Sequence, residues 1–163
     1  MASSLKSRVW YVATAMLGLA GCSHSAADPK AIEAAMRNQA MAIVAAYNMR
    51  DAAKAASYDA SDYVGMFHGS PNVIGRAADE AGMKVQLKDP AANWAIGDGR
   101  VTTSTDGSLT IYEAPYVFTF TSPETGKPAK DSGNWIAVFK RQPDGSMKLW
   151  RSIGTDTPPA AAR

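Results

Sequence analysis

Residues 131–151, DSGNWIAVFKRQPDGSMKLWR, decide the fold. Trp135, Ala137 and Phe139 alternate with Asn134, Ile136 and Val138, the period of two that sends successive side chains to opposite faces of a strand. Pro143-Asp144-Gly145 is a turn, and apolar alternation resumes after it. The stretch therefore predicts a β-hairpin with arms 132–141 and 147–154. On the second arm the same alternation groups Trp150 with Ser152, and Leu149 with Arg151 and Ile153 on the opposite face.

Working outward, residues 109–121 form a long strand with Tyr112, Ala114, Tyr116, Phe118 and Phe120 on one face. Pro115 interrupts it and marks a bulge or an edge, because proline donates nothing to a ladder. Residues 100–104 give a shorter strand, with turns at 97–99 and 105–107 and a loop at 122–127. Before Pro90 the period changes to 3.6. Asp28-Pro29 opens a helix with an acceptor and then proline, and Ile32, Met36, Ala40, Ile43 and Tyr47 line one face up to about 48–50. An alanine-rich helix over 51–58, a short strand over 63–67 closed by a turn at 68–71, and a third helix over 75–88 follow. Helices followed by an antiparallel sheet predict an α+β domain.

The first 21 residues read differently. Lys6 and Arg8 precede an apolar run, Val9 to Ala20, that is too short for the ~20 residues of a spanning helix. A basic start, a short apolar stretch and small residues describe a secretory signal. Leu19-Ala20-Gly21-Cys22 resembles the lipobox of bacterial lipoproteins, which implies cleavage before Cys22 and lipid attachment to its thiol; Cys22 is the chain's one cysteine. The expected divisions are a lipoprotein signal peptide (1–21), a lipidated cysteine and tether (22–28), a domain (29–157) and a loose tail (158–163). Export and a cell-envelope, lipid-anchored location follow. In a Gram-negative cell, Ser23 after the cysteine points to the outer membrane, facing the periplasm.

Charge narrows the partners. The chain has 17 Lys and Arg against 15 Asp and Glu. Lys6 and Arg8 make up the excess, so the remainder is neutral. That excludes an electrostatic footprint for nucleic acid and a polybasic stripe for anionic lipid. No disulfide can form within one chain from a single thiol, so the fold rests on its core.

Three stretches carry a family resemblance: 42–60 (AIVAAYNMRDAAKAASYDA), 69–76 (GSPNVIGR) and 131–151. Together with the element order they resemble the nuclear transport factor 2-like superfamily, in its SnoaL-like and ketosteroid isomerase-like branch, over about 31–158. The resemblance implies a cone-shaped, curved antiparallel sheet packed against three N-terminal helices, with a pocket inside. It also implies homodimers formed through the outer face of the sheet. Ile136, Val138, Leu149 and Ile153 are the expected outward patch there, with Glu113 and Arg151 at its rim. Aligned to the isomerase branch, the catalytic tyrosine position falls on Ile43, the base on Phe67 or His68, and the protonated acid on Ala137. Apolar residues cannot move a proton or hold an oxyanion, so ketosteroid isomerase chemistry is not expected.

The pocket implied by the resemblance would be lined by Ile43, Tyr47, Phe67, Tyr112, Tyr116, Phe118, Trp135, Phe139 and Trp150. These rings either fill a core or wall an apolar small-molecule site with a few polar handles. Catalytic candidates are weak: Asp62, Tyr63 and His68, at the pocket mouth. No histidine pair or carboxylate cluster has metal-ligand spacing, and no cofactor motif appears. The favoured expectation is a non-catalytic module that binds a small apolar ligand or a protein partner. An isomerase, hydrolase or cyclase using the same pocket is the alternative, and a structural dimer with a filled cone is another.

Overall fold

A computed structural model describes residues 28–157. The expected signal peptide, Cys22, the tether up to residue 27 and the tail lie outside the described residues. Asp28 caps α1 (Pro29–Asn48), its carboxylate accepting the Lys30 N–H at 3.1 Å. Met36, Ala40, Ile43, Val44 and Tyr47 form the buried stripe of this helix. The chain leaves α1 through Arg50, whose φ of 65° is left-handed. The cost of that conformation for a non-glycine residue is offset by its guanidinium, which donates to the Asp89 and Pro90 carbonyls at 2.8 and 2.7 Å. Asp51 then caps α2 (Ala52–Ala56) through the Lys54 N–H at 2.8 Å.

β1 (Asp59–Phe67) and β2 (Val73–Ile74) form a short hairpin ahead of α3 (Arg76–Gln86). β3 (Asn93–Ile96), β4 (Arg100–Thr103), β5 (Leu109–Thr121), β6 (Pro128–Arg141) and β7 (Met147–Asp156) complete one sheet. Its order is β2-β1-β7-β6-β5-β3, and β4 shares the β5 edge with β3. The expected all-antiparallel sheet is mixed instead: β1 runs parallel to β7. About 80 residues separate those strands, far more than the dozen a parallel crossover needs. The strands β2 and β3 were not expected, since two and four residues are too short to show a period.

Pro115 lies where its missing N–H costs nothing. Its carbonyl accepts from Gly97 at 2.8 Å, so its nitrogen faces the same side, at the 97–99 gap between β3 and β4. Inward-facing Tyr112, Ala114, Trp135, Ala137 and Phe139 are buried against Met36, Ala40 and Ile43 of α1. α1 lies over β3, β4 and β5, while α3 packs on β1 and β2. The space left between these two helices and the concave face is a cavity.

The second hairpin arm departs from strict alternation. Val138 pairs with Arg151 but Phe139 pairs with Leu149, so Trp150 is the extra residue of a β-bulge. Leu149 therefore points inward and is buried, while Trp150 turns outward with Arg151. This corrects two expectations: Trp150 does not face the pocket, and Leu149 does not belong to the outer patch. The Trp150 indole donates to Asp62 Oδ2 at 2.9 Å and lies under the Lys140 and Arg151 cations, 4.8 and 3.8 Å from its centroid. Glu113 does not pair with Arg151 either. It binds Arg100 at 2.7 Å across β4–β5, and Arg151 donates to the Asp62 carbonyl at 2.9 Å.

Candidate functional site

The cavity measures about 390 Å³, within the usual range for a small-molecule pocket. The cone is therefore not filled. One wall is aromatic: Tyr47 from α1, Trp94 from β3, Phe118 from β5 and Trp135 from β6. Trp94 meets Trp135 edge-on at 4.7 Å and Tyr47 at 6.1 Å, and Tyr47 meets Phe118 at 6.2 Å. Edge-to-face contacts of this kind hold rings in one arrangement. Asn48 fixes the Trp94 backbone from both sides, donating to its carbonyl at 2.7 Å and accepting its N–H at 2.9 Å.

The opposite wall is acidic. Asp59 opens β1 and Asp79 sits in the first turn of α3, and both line the cavity. Asp59 is 1% exposed, and its Oδ2 has no hydrogen-bond partner among the described residues. A buried polar atom left so costs about 1–3 kcal/mol. A proton held between the two carboxyls removes that cost, because a protonated Asp59 donates to Asp79. Burial raises the pKa of Asp59 well above the ordinary carboxylate range, and the Asp79 charge adds to it; Arg76 and Lys148 oppose the shift. Burial raises Asp79 too, against hydrogen bonds from Tyr63 and Asp59 that favour its charged form. Its place at a helix N-terminus favours the anion as well. The pair thus favours one shared proton, with Asp59 the member inclined to hold it and Asp79 the member inclined to accept it.

Tyr63 stands beside this pair. Burial, then the Asp79 and Asp59 charges, raise its phenol far above the ordinary tyrosine value, so it stays protonated and acts as a donor. Ser152, next to it, accepts the Trp135 indole N–H at 2.8 Å. Near the mouth, Asp156 binds Tyr116 Oη at 2.9 Å and His68 Nδ1 at 2.8 Å. Burial and that carboxylate push the Tyr116 phenol up to about 12.

Of the residues expected to line the pocket, Ile43, Tyr47, Phe67, Tyr116, Phe118 and Trp135 do so. Tyr112 and Phe139 lie in the packed core, and Trp150 is on the outer face. Among the catalytic candidates, Tyr63 is inside and His68 is at the rim. Asp62 is exposed on the outer surface, held by Lys140 at 2.8 Å, and that hydrogen bond lowers its pKa. Asp59 and Asp79 escaped the sequence reading, whereas Ser152 lies on the face expected to point inward. One signal was present: on a strand, Asp59 shares the parity of Tyr63 and Asp62 does not.

No family model matches the chain, and no curated protein matches it by sequence. Solved structures do. A conserved protein from Planctomyces limnophilus superposes with a TM-score of 0.67 at 15% identity, covering 78% of this chain and 99% of that one. A ketosteroid isomerase-like protein from Erwinia carotovora atroseptica gives 0.63 at 17% identity, over 77% of this chain and 96% of that one. An NTF2-like protein with a cystatin-like fold from Novosphingobium aromaticivorans gives 0.59 at 18% identity, over 77% and 82%. Identities this low speak for the fold alone, and with the cavity between helices and curved sheet they settle it: this chain has the nuclear transport factor 2-like, α+β fold.

Proposed function

We propose that the cavity is an acid–base catalytic site for a small, largely apolar molecule. The carrying observation is the carboxyl pair, Asp59 buried and Asp79 half-buried, on a cavity with an aromatic wall. Asp79 is the base, protonated Asp59 the acid, and Tyr63 a donor to charge that develops on the substrate. Environments that split two carboxyls into one acid and one base are the usual means of running proton transfer near neutral pH. These carboxyls do not occupy the isomerase positions, which hold Ile43, Phe67 or His68, and Ala137. A proton-transfer reaction other than ketosteroid isomerisation is the expectation. The pair displaces the non-catalytic binding module as the better-supported alternative.

The test uses 5-nitrobenzisoxazole, an apolar molecule opened by removal of one carbon-bound proton. The protein should accelerate the opening over buffer, and Asp79→Asn should lower the rate by about 10²-fold or more with its circular dichroism unchanged. The rate should rise with pH as the pair loses its first proton, because the base exists only after that loss. Equal rates for both proteins would remove the catalytic reading.

Two further proposals concern the chain's setting. The lipobox resemblance at residues 19–22 supports a lipid-anchored lipoprotein of the cell envelope. The outer face of the sheet supports a homodimer: Ile111, Ile136, Val138 and Ile153 sit on three adjacent strands with no helix over them among the described residues, and Val117 beside them is 40% exposed. An apolar surface of this kind usually marks a contact, and a two-fold pairing closes it. Light scattering should give a dimer mass at micromolar concentration and a monomer for Ile136→Asp. A monomer for the unsubstituted protein would end the dimer proposal.

A further inference from the structure

We infer that the ligand of this cavity is an organic amine with an apolar body, its ammonium seated at Asp59 and Asp79. The inference rests on the pair being the working group of the site and adds the substrate class: with the amine seated, its own ammonium N–H takes over the acid's part that protonated Asp59 plays in the free protein. Four aspartates line the cavity: Asp59, Asp79, Asp131 and Asp156. Among the described residues, the one basic side chain lining it is His68, already held by Asp156. The two cations nearest the pair are turned to backbone: Arg76 donates to the Asp59 carbonyl and Lys148 to the Ser57 carbonyl at 2.7 Å. Beyond the His68–Asp156 pair, the described lining therefore carries acidic groups with no basic side chain to match them.

Asp59 makes this specific. Its Oδ2 is buried with no hydrogen-bond partner among the described residues. An ammonium brings three donors, enough to satisfy Oδ2 and Asp79 together and take the proton's place. The aromatic wall suits the rest of such a molecule, since ring faces attract cations and cover apolar groups. A carboxylate or phosphate would meet like charge at Asp59, Asp79, Asp131 and Asp156. Binding releases the shared proton. Affinity for the amine thus rises with pH until the amine itself deprotonates, near the ordinary lysine value of about 10.4. The other titratable and charged groups facing the pair are Arg76, Lys148 and Tyr63, and burial holds the Tyr63 phenol protonated.

Calorimetry on the full-length protein would use phenethylamine, with 2-phenylethanol and phenylacetate as neutral and anionic counterparts. The amine should bind at least about tenfold tighter than the alcohol and lose about tenfold or more in Asp59→Asn. Asp62→Asn, on the outer face, should change nothing. Affinity should increase between about pH 6 and pH 8, with proton release into the buffer. An alcohol or acid that binds as tightly as the amine overturns the inference, as does an amine indifferent to Asp59→Asn. Proton abstraction from 5-nitrobenzisoxazole that persists in that event leaves the catalytic reading standing alone. Amine binding through Asp59 without any abstraction leaves the amine site standing and removes catalysis.

Discussion

Gly133→Ala is expected to destabilise the protein by about 4 kcal/mol or more, in the exceptional range for a single substitution. Gly133 lies in β6 between Tyr116 of β5 and Asp156 of β7. A Cβ there would stand 1.7 Å from the Thr155 carbonyl oxygen and 3.0 Å from the Asp156 Cα. Both neighbours are backbone, so no rotamer change relieves the clash; β7 must leave β6. The residues lost first are the ones that hold the cavity mouth, Asp156 with Tyr116 and His68. With a urea slope of about 2 kcal/mol per M, the midpoint should fall by roughly 2 M. Gly82→Ala is the contrast. Gly82 is inside α3, and a Cβ there meets nothing within 4 Å. That change should stabilise by about 0.5–1 kcal/mol through helix propensity alone. A Gly133→Ala protein as stable as the original would show that the β6–β7 pairing at the rim is not this close.

Cys22→Ser is the other large effect, and it is all-or-none. Serine has no thiol to receive a lipid, so a lipobox cysteine cannot be replaced by its closest isostere. One acyl chain gives marginal, reversible attachment, at about 0.8 kcal/mol for each buried methylene, whereas two or more give a stable anchor. Growth with labelled palmitate should mark the unsubstituted protein and leave Cys22→Ser unlabelled. Mass spectrometry should find a mature chain that begins at a modified Cys22. A mature form that starts elsewhere and carries no lipid would refute the lipoprotein proposal.

The elements with a long period were legible from the sequence, and the site was legible only in part. The 109–121 strand matches its expected limits, and α1 follows its capping aspartate. Strict alternation failed at Trp150, because a β-bulge inserts a residue without leaving a composition signal. That one residue reversed the facing of Leu149 and Trp150 and moved the latter from pocket to surface. The acidic wall failed for another reason. Asp59 and Asp79 are 20 positions apart, on a strand and a helix with nothing in common until β1 and α3 pack. Asp62 looked the better candidate by lying next to Tyr63 in sequence, but adjacent strand residues face opposite ways. The aromatic wall was visible because Tyr47, Phe118 and Trp135 each sit on a periodic element.

The order β2-β1-β7-β6-β5-β3 has a kinetic consequence. Among the described strands, β7 is the last in chain order, lies inside the sheet and joins the β1–β2 hairpin to the β6–β5–β3 half. Until residues 147–156 have emerged, the two halves have no common ladder, and Asp59 and Ser152 cannot come to face one cavity. Such distant pairing places the domain among slow folders, with rates expected on the millisecond-to-second scale. A chain that cannot close early remains threadable. For the exported lipoprotein proposed above, late closure would keep the chain competent for passage as an extended polypeptide until β7 is through.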